Sequence, residues 1–233
     1  MKKAILSAAI LVVVILSASH ATGQTKETRN VSGFTRVSFG VAGDLYVNIG
    51  PEYKLVIEGD RKILDEIETV VSGDRLTIKK ENWRFSINDE KVTINLTMPE
   101  IEGLGVSGSG KAQILDPVKA DKLNLSVSGS GKLMTADLNV DDFTCGISGS
   151  GDIILDSGGS IDDGNIVISG SGSFSGENVE IDHLRVSVSG SGNCHCKAGD
   201  SLTASISGSG NVTYAGNPKV DARVSGSGHV RSK

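Results

Sequence analysis

The chain has 233 residues, 38% of them hydrophobic and only 4% aromatic, with a formal charge of −5. That acidic balance argues against nucleic-acid and anionic-lipid partners, which call for a basic patch to meet phosphate. Cys145, Cys194 and Cys196 are an odd number that cannot all pair within one chain, so this is not a disulfide scaffold.

The first element is a leader. Lys2 and Lys3 precede an uncharged apolar run from Ala4 to Leu16, and Ser19-His20-Ala21 places small residues at a cleavage site. Residues 1–21 therefore read as a secretory signal peptide. An anchor helix needs roughly 20 apolar residues, and this run is shorter. No later run is long enough to span a membrane, so no span is expected in the mature chain. Without the two leader lysines, 21 basic residues face 28 acidic ones. The expected location is outside the cytoplasm: periplasm, outer-membrane surface or extracellular space.

Residues 22–105 carry strand patterns without an obvious repeat. Leu45, Val47 and Ile49 alternate with polar residues, as do Leu76 and Ile78, and then Val92, Ile94, Leu96 and Met98. Asp60 is placed to cap a helix from Arg61 to Val70, with Ile63 and Ile67 on one face. Pro99 ends a strand. This segment is expected to cap one end of a repeat array over residues 106–233, continuous with it as one domain.

From Val106 to the end of the chain one pentapeptide recurs. Val or Ile followed by Ser-Gly-Ser-Gly begins at Val106, Val127, Ile147, Ile168, Val188, Ile206 and Val224. The spacings of 21, 20, 21, 20, 18 and 18 residues fall in the range of solenoid repeats. Two residues before each start stand Leu104, Leu125, Cys145, Ile166, Val186, Ala204 and Ala222. Six after each start stand Ala112, Leu133, Ile153, Phe174, Cys194, Val212 and Val230. Apolar residues on alternate positions mean strands with one buried face, and repeated columns mean strands stacked in register. One coil cannot bury its own face, so stability comes from its neighbours.

Within the pentapeptide the serines share an outward parity and the glycines an inward one. The glycines are Gly108 and Gly110, Gly129 and Gly131, Gly149 and Gly151, Gly170 and Gly172, Gly190 and Gly192, Gly208 and Gly210, and Gly226 and Gly228. They are expected to serve a corner needing positive φ or a close approach of the opposite wall. No copy fits a phosphate-binding loop or a nucleophile elbow. His229, Arg231 and Lys233 are placed to blunt the far end of the stack.

The segments "FTRVSFGVAGDLYVNIG", "GDRKILDEIETVVSGDRLTI" and "TINLTMPEIEGLGVSGSG", followed by repeated [VI]SGSG coils, resemble one family over about residues 30–230. It is the family described as "putative auto-transporter adhesin, head GIN domain". The resemblance implies an exported all-β protein with a right-handed parallel β-helix, or β-solenoid. It carries no catalytic residues over to this chain.

Candidate sites are few. Cys194-His195-Cys196 offers two thiols and an imidazole, the chemistry of a zinc site, but strand alternation puts both cysteines inward and His195 outward. Asp152, Asp156, Asp162 and Asp163, among glycines, suit either a calcium loop or a solvated turn. Trp83, Arg84 and Phe85 either anchor a glycan or protein partner or fold back over the end of the stack. Tyr46 and Tyr53 are lesser candidates of the same kind. No cofactor is expected.

These features favour a non-enzymatic exported solenoid serving adhesion or assembly, with a surface glycan, a protein or a second copy as partner. A carbohydrate-active β-helix enzyme would need paired carboxylates beside basic and aromatic residues in a groove. An exported calcium- or small-ligand-binding module is a further alternative.

Overall fold

A computed structural model describes residues 25–80 and 92–233. Its N-terminal part contains β1 (Thr25–Arg29), β2 (Arg36–Gly40), β3 (Gly43–Ile49), β4 (Lys54–Gly59), a one-turn helix α1 (Arg61–Leu64), β5 (Ile67–Ser72), β6 (Arg75–Lys80) and β7 (Val92–Met98). Then come β8 (Gly103–Gly108), β9 (Lys111–Ile114), β10 (Val118–Gly129), β11 (Lys132–Thr135), β12 (Leu138–Gly149), β13 (Asp152–Leu155) and β14 (Gly159–Gly170). The chain closes with β15 (Ser173–Gly190), β16 (Asn193–Gly208), β17 (Asn211–Ala215), β18 (Lys219–Gly226) and β19 (His229–Ser232).

These strands wind into a parallel β-solenoid. One wall stacks β8, β10, β12, β14, β15, β16 and β18, with every pentapeptide in register: Val106, Val127, Ile147, Ile168, Val188, Ile206 and Val224 lie side by side. A second wall stacks β9, β11, β13, β15, β16, β17 and β19. A third, shorter wall is made by the starts of the long strands, where Ala120, Val140, Ile161, Ile181 and Ala198 align. The expected apolar columns, two before and six after each Val or Ile, fill the space between the walls. Leu125, Cys145, Ile166, Leu133, Ile153 and Phe174 are all fully buried.

The two glycines of each pentapeptide do different jobs, which corrects the expectation that both point inward. The first turns the corner: φ runs from 83° at Gly108 to 129° at Gly226 across the column. That left-handed region is open to glycine and costly for a residue with a Cβ. The second glycine packs inward against the coil below. A Cβ built on Gly131 would lie 2.7 Å from the Gly110 carbonyl oxygen and 2.8 Å from Val106 Cγ1. The corner is also where coils are tied, since the Ser130 N–H donates to the Gly108 carbonyl and the Lys132 N–H to that of Gly110.

The solenoid extends into the N-terminal segment, in an order that differs from chain order. β2 lies between β6 and β8, and β3 between β7 and β9, all parallel. The end beyond is closed by antiparallel strands: β5 on β6, then β4 on β7 and β1 on β4. Tyr53 helps to seal this end, its ring 4.8 Å from that of Phe34 and its hydroxyl donating to the Phe34 carbonyl at 2.9 Å. Tyr46, in β3, stands on the outward side between Asn95 and Gln113.

The expected helix is shorter than its pattern. Asp60 does cap it, accepting from the Lys62 N–H, but the helix stops at Leu64 and residues 67–72 form β5. Ile67, Thr69, Val70 and Val71 are β-branched, and pairing with β6 satisfies their strand preference.

At the far end the blunting residues are only part of the picture. The Lys233 ammonium donates to Glu177 at 2.8 Å and Arg231 Nε to Thr213 Oγ1 at 3.4 Å. Yet all of β18 is exposed, including Val220 and Val224, which belong to columns buried in every earlier coil where they are apolar. The leader (1–21) and Trp83, Arg84 and Phe85 lie outside the described residues.

Candidate functional site

Long strands bend where the third wall meets the first, and the bend sets the outward side chains of successive coils in two rows. Lys122, Asp142, Asp163, His183 and Ser201 form one row; Asn124, Thr144, Asn165, Arg185 and Thr203 form the other. Together with Arg36 and Glu102 they line a groove of about 440 Å³ running along the stack. Its floor is the buried column Leu123, Phe143, Gly164 and Leu184. Gly164 stands where neighbouring coils carry Phe or Leu; a Cβ there would meet Ile181 Cγ2 at 2.6 Å.

The groove mixes charges. Lys122 Nζ sits 3.1 Å from Asp142, and Arg36 reaches both Asp74 at 3.4 Å and Glu102 at 3.7 Å. His183 Nδ1 lies 3.3 Å from Ser201 Oγ. Arg185 is exposed and has no carboxylate partner among the described residues.

Beside the groove runs an acidic ridge that the sequence reading missed. Asp121, Asp141, Asp162 and Asp182 sit at the bend of successive coils, flanked on both sides by paired residues. Asp200 occupies the same bend one coil further on, next to a register shift. The signal was present as an Asp six positions before the Val or Ile in five of the seven pentapeptides. It escapes a search for apolar periodicity because every member faces water. Parallel strands set such neighbours about 4.8 Å apart, so the ridge concentrates negative potential along one edge of the groove. Beyond it, a second hollow of about 380 Å³ is lined by Lys119, Asn139 and Ser160 among others.

The four candidate calcium ligands are split by the fold. Asp162 and Asp163 belong to the ridge and groove, whereas Asp152 lies on the second wall between Lys132 and Ser173, with Asp156 just beyond that strand. Among the described residues, no three His, Cys, Asp or Glu side chains stand close enough to hold a metal ion.

Cys194 and Cys196 are fully buried in the core, and His195 points outward, 3.8 Å from Glu177. The Lys233 hydrogen bond, with added charge from His195, holds the Glu177 carboxyl below its ordinary range. A hydrogen bond with Cys196 and burial push the Cys194 thiol well up, and burial alone does the same to Cys145. A thiol held protonated and out of water is unreactive. A chromogenic disulfide reagent at pH 8 should therefore release no signal from Cys145 or Cys194 until urea is added. Fast native labelling of either would mean that the core opens locally.

The architecture is that of a parallel β-solenoid with a polar groove along one corner. The chain belongs to the family described as "putative auto-transporter adhesin, head GIN domain", whose model matches residues 33–218. Solved structures share the fold. A protein of Bacteroides fragilis described as a "putative adhesin" superposes with a TM-score of 0.86 at 22% identity, over 91% of this chain and 98% of that one. A Parabacteroides distasonis protein with the same description gives 0.74 at 22% identity, over 91% and 98%. A second P. distasonis protein, described as a "putative lipid binding protein", gives 0.71 at 21% identity, over 91% and 97%. No curated protein matches the chain. No helix among the described residues is long and apolar enough to cross a membrane.

Proposed function

We propose that this is an exported, non-enzymatic adhesin-type protein that holds an extended polar ligand, a cell-surface glycan or a protein segment, in the corner groove. The observation that carries this reading is the groove itself, whose hydrogen-bonding side chains repeat with the coil. A ligand with its own repeat, lying along the stack, meets the same kind of contact at each level. The family description and the adhesin descriptions of fold relatives support the assignment to adhesion. The mixture of paired charges and neutral Asn, Thr and Ser supports holding a ligand over transforming it.

The test has two stages. Protease shaving of intact producing cells, with lysed cells as the control, establishes whether the protein is exposed at the surface. The purified chain is then screened against immobilised glycans and extracellular-matrix proteins, beside the double variant Arg185→Ala/Asp163→Asn. Both positions are exposed, so the variant should keep wild-type stability within about 0.5 kcal/mol. Its binding should fall about tenfold, the loss of a modest contact. Protection in intact cells would overturn the surface reading, and unchanged binding by the variant would move the contact away from the groove.

A further inference from the structure

We infer that β18 is a self-complementary dimerisation strand, on which a second copy of this chain pairs antiparallel across a two-fold axis at Ala222. The two ends of the solenoid differ. At the N-terminal end β5 turns back antiparallel on β6, and Leu64, Ile67 and Leu76 are buried beneath it. At the other end β18, among the described residues, pairs with β16 along one edge only, and its eight residues are all exposed. The large exposed hydrophobic residues among those described are Leu115, Val167, Val220 and Val224; the last two share this strand. Val220, Ala222 and Val224 continue the columns of Leu202, Ala204 and Ile206, which are buried. The strand thus presents an unpaired backbone edge together with the open end of the core.

Charge complementarity identifies the occupant. Lys219, Asp221 and Arg223 stand on the outer face, and charges on an edge strand normally discourage association. Against a second copy running antiparallel, they attract. With Ala222 opposite Ala222 of the second copy, Asp221 faces Arg223 and Arg223 faces Asp221, giving two symmetric ion pairs. The same register sets Val220 opposite Val224 on the inner face, twice. Opposed residues of an antiparallel pair point to the same side, so the apolar stripes join into one covered core. Within a single chain the Asp221–Arg223 contact is long, 3.9 Å, and both side chains are mostly exposed. Both are therefore free to turn to a partner. An interface of this kind is isologous and closes at two copies.

The test is oligomeric state by light scattering on the purified chain. The wild type should be a dimer at tens of micromolar. Asp221→Arg alone sets like charges opposite each other twice per dimer and should weaken association at least about tenfold. The double swap Asp221→Arg/Arg223→Asp should restore it, a rescue that non-specific stickiness would not give. Ala222→Cys should form a disulfide-linked dimer with oxidised glutathione, because the two-fold axis sets that position against itself at bridging distance. The native cysteines are buried and stay out of the reaction. A monomer at these concentrations would overturn the proposal. So would a dimer indifferent to the charge swaps and not linked through position 222. Open-ended polymers would show that β18 meets β5 of the next copy, and would equally overturn it.

Discussion

Leu133→Asp is expected to abolish folding of the solenoid. Leu133 is fully buried on the second wall, in register with Ala112 on one side and Ile153 on the other. Losing a buried leucine costs about 2–5 kcal/mol. The new carboxylate has no cation to meet among these neighbours, and burying it adds several kcal/mol more. The sum rivals the whole stability of an ordinary domain, about 5–15 kcal/mol. In a stack each coil is the template for the next, so the loss spreads to both sides. Ser130→Ala, three residues away on an exposed corner, should be nearly silent. Urea unfolding followed by far-ultraviolet circular dichroism reads both, and equal midpoints for the two variants would refute the register.

The second large effect is expected at the inner glycines. Gly131→Val drives two methyl groups and a Cβ into the Gly110 carbonyl and Val106, where even a Cβ alone is too close. Backbone that is hydrogen-bonded between coils has little freedom to move aside. Overpacking of this kind costs about 1–3 kcal/mol for a small excess of volume, and valine exceeds that range. Gly131→Ala should show the lower part of the effect. Gly146→Ala is the internal control: nothing lies within 4 Å of its added Cβ, so this glycine should be replaceable with no loss of stability. If Gly131→Val and Gly146→Ala unfold at the same urea concentration, the close approach at the corner is not what selects glycine.

Much of this architecture is legible in the residues because a solenoid repeats its environment. Each column is sampled once per coil, so a buried position announces itself several times over. The columns through Leu125 and Leu133 needed no structure to be assigned inward. The N-terminal segment was less readable for the same reason. Nothing in the spacing of Val37, Leu76 and Leu104 says that β2 sits between β6 and β8; that order is set by long-range pairing. The helix after Asp60 misled because Ile63 and Ile67 fit a helical stripe, while β-strand propensity governs from Ile67 onward. The candidate site was hidden by the choice of signal. Periodicity of apolar residues finds the core, whereas the groove rows are polar residues on the opposite parity, and the ridge shares the parity of the core columns but falls at the bend, where the alternation breaks. The exposed face of β18 breaks the pattern because column membership implies burial only where another coil is stacked above.

The interleaving of β2 and β3 has a mechanical meaning. From β8 onward each coil is laid directly on its predecessor, so a pull on the C-terminal end peels one coil at a time and breaks few hydrogen bonds at once. A pull on β2 meets a strand gripped along both edges, by β6 and by β8, and must shear both ladders together. Loaded in tension from its two ends, the molecule would first give up β1, held along one edge by β4, and its last coils, while the strands interleaved around β2 and β3 held.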